Sequence, residues 1–183
     1  MLFEDTVREK ILSEFFKKPE REWYVKELAR GLKISSGSAS SVCKELEKEG
    51  ALKSEEKGRA LFYSLRNDEP LVKRLKSTWF LSRLMKLRRS WENPEFVTVA
   101  LYGSRASGEF ISISDIDILI ISNVGHEQAE KNLEKLKKAF GQKLALTIFT
   151  ITEWMGMSKR KEVFYMRVLS NHIILLGSSL VVG

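Results

Sequence analysis

Two aspartates, Asp115 and Asp117, stand two residues apart at the head of an apolar run, and a Gly103-Ser104 pair closes an earlier one. In a β-strand, residues i and i+2 point to the same face. Both carboxylates would then project together, with Cα atoms about 6.6 Å apart at ~3.3 Å of rise per residue. Two carboxylates at that spacing can hold one or two Mg²⁺ ions, and ions so held can clamp a triphosphate. Gly103 lets the backbone come close to a phosphate, and Ser104 offers an N–H and a hydroxyl to it. The plainer alternative is a β-turn-β element whose two aspartates are only solvated.

The flanking elements must position these groups. Phe96–Tyr102 and Ile116–Ser122 read as strands from their apolar, β-branched composition. An amphipathic helix follows over 127–140, with Ala129, Leu133, Leu136 and Phe140 inward, and Gly141 ends it. A third strand is predicted over 143–150. Thr152 is a candidate cap for a helix beginning at Glu153 and Trp154, a longer helix runs through Val168, and 173–176 is a short apolar strand. The pattern is that of an α/β fold with a small mixed sheet.

With its context, this stretch resembles the signature of the DNA polymerase β-like nucleotidyltransferase superfamily, above all its minimal members. The elements that carry the resemblance are the apolar strand 97–102, Gly103-Ser104, Arg105 through Gly108-Glu109, and Ser114-Asp115-Ile116-Asp117. The resemblance implies Asp115 and Asp117 as catalytic metal ligands for Mg²⁺, and Gly103, Ser104, Arg105 and Ser114 as nucleotide-binding residues. ATP, or another NTP, would be the substrate or ligand. The family uses a third carboxylate on the strand after the following helix. By order that strand is 143–150, which holds no acid; Ala145 or Thr147 occupies the expected place, and the nearest carboxylate is Glu153. Two functions stay open: transfer of a nucleoside monophosphate to a hydroxyl acceptor, or a catalytically weak nucleotide sensor. Some minimal members act as antitoxins toward a helical partner toxin of the HEPN type, so such a protein partner is a further expectation.

Residues 1–68 are organised differently. An amphipathic helix over 6–17 is ended by Pro19; a second helix over 24–32 closes near Gly31; Ser35 is a candidate N-cap for a third over 36–49, stopped by Gly50. Ala39, Val42, Cys43 and Leu46 form the inward stripe of that third helix. Two β-prone runs, 51–53 and 61–65, flank a polar turn over 54–59. This order resembles the winged helix-turn-helix domains of prokaryotic transcription regulators, of the type that includes arsenic-sensor and multiple-antibiotic-resistance repressors. The resemblance implies DNA contact through Ser36, Ser38, Ser40, Ser41 and Lys44 on the third helix and through Lys57 and Arg59 in the wing. Serines read bases weakly, so sequence specificity would be modest or would need a homodimer. A protein-interaction role for the domain is the alternative.

Composition frames both halves. At 183 residues with 43% hydrophobic and 30% charged side chains, the chain can form packed cores in one or two domains. The formal charge of +7 is concentrated: residues 1–68 hold 14 Lys/Arg against 13 Asp/Glu, 69–92 hold 7 against 2, and 93–183 hold 10 against 9. The segment 69–92 reads as a basic connecting helix, with Leu71, Leu75, Trp79, Leu81, Leu84 and Leu87 apolar and Lys73, Arg74, Lys76, Arg83, Lys86, Arg88 and Arg89 among them. Three segments are therefore expected: 1–68, 69–92 and 93–183. The longest apolar runs fall far short of the ~20 residues that cross a bilayer. The N-terminus lacks a signal peptide's plan, and the single cysteine, Cys43, forms no internal disulfide. A cytoplasmic protein without membrane attachment is expected. His126 and His172 lack metal-ligand spacing and read as structural.

Overall fold

The computed structural model describes residues 6–181; part of the N-terminal reading above lies outside them. The chain divides into two compact units, Met1–Ser82 with Gly108–Ser112, and Arg83–Ser107 with Ile113–Gly183. Both are mixed α and β, each with its own sheet.

The first unit opens with α1 (Val7–Lys17), started by a capping box in which the Thr6 hydroxyl accepts from the Glu9 N–H and the Glu9 carboxylate accepts from the Thr6 N–H. Its buried stripe is Ile11, Leu12, Phe15 and Phe16. Next come β1 (Trp23–Tyr24), α2 (Val25–Leu32), α3 (Ser36–Lys48), β2 (Leu52–Lys57) and β3 (Ala60–Leu65). The order helix, helix–turn–helix, hairpin is the one read from the sequence. Its boundaries differ for local reasons. Trp23 and Tyr24 pair with Tyr63 and Phe62 as a third strand, so α2 starts at Val25. That helix ends past Gly31, at Lys33, which takes a left-handed φ of 55° and donates to the Ala29 and Arg30 carbonyls. Ser35 caps α3 as expected, its hydroxyl accepting from the Ser38 N–H.

The expected polar turn 54–59 is mostly strand. Pairing runs from Leu52↔Leu65 to Lys57↔Ala60 and leaves a two-residue turn, Gly58-Arg59, with Gly58 at φ +66°. Polar residues hold the ladder here because β3 supplies the apolar face. The Glu47 carboxylate also accepts from the Ser54 N–H at 3.1 Å and from its hydroxyl.

The basic segment forms α4 (Pro70–Leu84), then a 3₁₀ turn over Met85–Ser90. Its buried stripe is Val72, Lys76, Ser77, Trp79, Phe80 and Leu84, whereas Leu71 is 63% exposed. The buried face is thus rotated from the leucine stripe of the sequence reading. Lys76, read there among the basic residues of the helix, is in the interior, where its ammonium donates to Asn67 Oδ1 at 2.9 Å.

In the second unit, β4 (Phe96–Tyr102), α5 (Gly103–Ser107), β5 (Ile116–Ser122), α6 (His126–Lys131), α7 (Glu134–Phe140), β6 (Leu144–Thr150), α8 (Ile151–Arg160), α9 (Val163–Ser170) and β7 (His172–Gly177) follow in order. The sheet order is β6-β5-β4-β7, with β4 antiparallel to both neighbours and β5 parallel to β6. Ala100, Leu119 and Ile121 pack on one face against Trp154, Met157, Tyr165 and Val168. Ile116, Ile118 and Ile120 alternate to the other face and are buried as well. Each such apolar side chain contributes about 1.5–3 kcal/mol on burial.

The helix expected over 127–140 is two, interrupted at Asn132-Leu133. The cap of α8 is Thr150, not Thr152: the Thr150 hydroxyl accepts from the Glu153 N–H, and the Glu153 carboxylate reaches back to the Thr150 N–H. Among the described residues no helix is long and apolar enough to cross a membrane.

Candidate metal-nucleotide site

Asp117 is the second residue of β5. Its cross-strand neighbours are Tyr102 on β4 and Ala145 on β6, so the three share one face of the sheet. Asp115 lies just before the strand and is exposed, while Asp117 is half-buried. Gly103 leaves β4 with φ +67°, and a Cβ placed on it would stand 2.3 Å from Asp117 Oδ2. The positive φ favours glycine there, and a Cβ would have to displace the Asp117 carboxylate. The Gly-Ser turn and Asp117 are therefore in direct apposition.

Arg105 is the third residue of α5 and is 7% exposed. Its Nε donates to the Asp115 carbonyl at 3.2 Å and its Nη2 to the Ser114 carbonyl at 2.8 Å. The guanidinium thus braces the backbone that carries Asp115, a role its sequence position did not disclose. Burial lowers its pKa, against the charges of Asp117 and Asp115. Ser104 is half-exposed at the turn.

The electrostatics favour a cation. Neither aspartate carboxylate has a hydrogen-bond partner among the described residues. Asp117 is held above the ordinary carboxylate range, first by burial and then by the negative charge of Asp115, with Arg105 acting in the opposite direction. A half-buried carboxylate beside a second carboxylate is stabilised by a divalent ion, so the donor set suits Mg²⁺ bound through carboxylate oxygens and water.

No third carboxylate joins them. No group of three or more metal-ligating side chains occurs among the described residues. Ala145 faces Asp117, and the Thr147 hydroxyl is hydrogen-bonded to the Tyr102 hydroxyl at 2.9 Å. Burial, and next in effect the Thr147 bond and the Asp117 charge, set the raised Tyr102 pKa, the bond alone lowering it. Glu153 lies at the opposite end of the sheet: parallel pairing runs from Asp117↔Ala145 to Ser122↔Thr150, about 16 Å along the strands. There its carboxylate caps α8 and pairs with His126 Nε2 at 3.0 Å, contacts that hold its pKa down at about 2.

The other chemistry-bearing residues are distributed over both units. His172 pairs across from Tyr102 on β7, and its Nδ1 bonds the Val168 carbonyl at 3.1 Å. Cys43 is buried, and burial pushes its thiol up to about 12. On α3, Ser36, Ser38, Ser41 and Lys44 are exposed and Ser40 is half-exposed; Lys57 and Arg59 are exposed at the hairpin. Ser38 is tied to Ser35, the Ser41 hydroxyl donates to Glu45 at 3.2 Å, and Lys57 is paired with Glu22. Lys44 and Arg59 have no ion-pair partner among the described residues.

No curated protein matches the chain. Solved structures share parts of it, among them these three. A toxin-antitoxin crystal structure with AMP-PNP is 22% identical, covering 54% of this chain and 73% of its own, at a TM-score of 0.38. A possible transcriptional regulator from Methanosarcina mazei Go1 is 17% identical over 50% of this chain and 82% of its own, at 0.35. Reduced HlyU from Vibrio cholerae N16961 is 24% identical over 41% and 75%, at 0.34. Residues 84–169, which carry the Gly103-Ser104 turn, Arg105 and both aspartates, match the family model of the nucleotidyltransferase domain.

Proposed function

We propose that this protein binds a magnesium–nucleoside triphosphate, ATP being the expected one, and transfers its nucleoside monophosphate to a hydroxyl acceptor. The single observation that carries the reading is the apposition of the Asp117 carboxylate and Gly103, beside a second, unpartnered carboxylate on Asp115. Asp115 and Asp117 would hold Mg²⁺, which supplies charge neutralisation and alignment of the phosphates. Gly103 and Ser104 would receive the triphosphate, and Arg105 would keep Asp115 in place. The acceptor hydroxyl finds no carboxylate on β6, so turnover is expected to be slow.

Incubation with labelled ATP and Mg²⁺ tests this, comparing the native chain with Asp115→Ala/Asp117→Ala. Label appearing on protein, RNA or a small hydroxyl compound only with the native chain supports transfer. Nucleotide binding without transfer to any of these ends the enzyme reading.

That outcome would leave a second reading, favoured by Ala145 standing where a third acid would be needed. In it the nucleotide is a regulatory ligand, and the first unit is a winged helix-turn-helix that contacts DNA through α3 and the hairpin, as a homodimer. Support comes from the exposed α3 serines with Lys44 and from Arg59 at the hairpin tip. A helical toxin of the HEPN type is the alternative partner, and co-purification with one in place of DNA binding would favour it.

A further inference from the structure

The chain between the Gly-Ser turn and the aspartates makes an unusual excursion. Its middle, Gly108–Ser112, belongs to the first compact unit, whereas the residues up to Ser107 and those from Ile113 belong to the second. Within the first unit this segment is built in. Phe110 is 1% exposed, its ring centroid 6.0 Å from that of Phe80 and 4.9 Å from the Lys76 ammonium. Lys76 is itself 1% exposed. Glu109 accepts from Lys73 at 2.8 Å, and the Ser112 N–H donates to Glu20 at 3.1 Å. Gly108 has φ +80°, and a Cβ on it would stand 1.9 Å from the Lys73 carbonyl oxygen. A surface loop that only joined two strands would need none of this.

We infer that segment 108–112 is the element through which nucleotide occupancy at Asp115 and Asp117 is coupled to the first unit. The inference rests on the nucleotide reading above. Gly108 is four residues from Ser104, and Ser112 is three from Asp115. Chain that short spans at most about 14 Å and 11 Å when extended, so restraint at either end reaches the segment. Two states follow: the segment seated around Phe110, or released. A ligand that grips the turn and the aspartates together orders both ends and favours the seated state. By linkage, a partner of the first unit that favours seating raises nucleotide affinity by the same factor.

Hydrogen exchange of the full chain, with and without saturating Mg·ATP, tests the coupling, and calorimetry measures binding in parallel. Amide exchange over 70–82 and 108–112 should slow roughly fivefold or more on Mg·ATP binding, a coupling of ordinary size. In Phe110→Ala that slowing over 70–82 should vanish while Mg·ATP still binds, more weakly. If Phe110→Ala does not fold by circular dichroism, Glu20→Gln, an exposed substitution, should reduce the slowing in the same direction. Bound Mg·ATP with unchanged exchange over 70–82 in the native chain overturns the coupling and leaves the nucleotide site standing. Absence of any Mg·ATP binding by the native chain overturns both.

Discussion

Asp117 is a half-buried carboxylate, and under the proposed function it carries the metal. Its pKa is raised in the folded state, so on raising the pH the unfolded chain ionises first. Folding is therefore opposed from the ordinary carboxylate pKa upward, in full above the raised folded value. Asp117→Asn should accordingly raise the melting temperature at pH 7 without added metal. Saturating Mg²⁺ should stabilise the native chain by about 2.7 kcal/mol at a hundred times its Kd and leave Asp117→Asn unmoved. A variant that melts lower than the native chain, or still responds to Mg²⁺, would remove the ion from Asp117. Arg105 makes the complementary case. Removing its guanidinium strands the Ser114 and Asp115 carbonyls, so Arg105→Ala should lose about 2–4 kcal/mol in denaturant unfolding. Arg105→Lys should not restore that stability, because an ammonium cannot bridge two carbonyls as a planar fork does. The Asp-x-Asp and Gly-Ser pairs were legible from spacing alone; the bracing role of Arg105 was not, since its partners are backbone atoms with no sequence signature.

Among the elements, β6 separates the two functional readings. Its neighbour relation to β5 puts Ala145 opposite Asp117 and sends Glu153 to the far end of the sheet. Glu153 is then a cap, and its effect should be confined to stability. Glu153→Ala should lose about 1 kcal/mol, the size of a surface capping interaction, with nucleotide affinity unchanged. Because its folded pKa is depressed to about 2 from 4.5, that contribution is present above pH 4.5 and fades as the pH falls toward 2. Loss of nucleotide binding in this variant would contradict the geometry. Most elements of both units were legible from periodicity and caps, the N-cap of α3 at Ser35 among them. The misreadings fell where pairing overrides local preference. Polar residues 54–57 became strand through β3, Tyr24 left the helix for the sheet, and Thr150 outcompeted Thr152 because Glu153 stands at the right spacing to close its box.

For the molecule as a whole, charge decides what the first unit can hold. Of the basic residues expected to meet DNA, Lys57 is already paired with Glu22 and Glu55, which leaves Lys44 and Arg59. Neutralising those two together should flatten the salt dependence of DNA affinity by about two in log–log slope, whereas Lys57→Gln should change it little. Binding that ignores salt and all three charges would mark the surface as one for a protein partner. The sequence by itself determined the residue types: paired acids after a Gly-Ser turn, a serine-rich third helix, and the absence of an acid from 143–150. It could do so because strand alternation and helical period act over a few residues and need no distant information. Tertiary structure alone decided which of these groups meet. The face of α4 that is buried, the position opposite Asp117, and the seating of residues 108–112 in the first unit all depend on side chains far apart in the chain, which local periodicity does not encode.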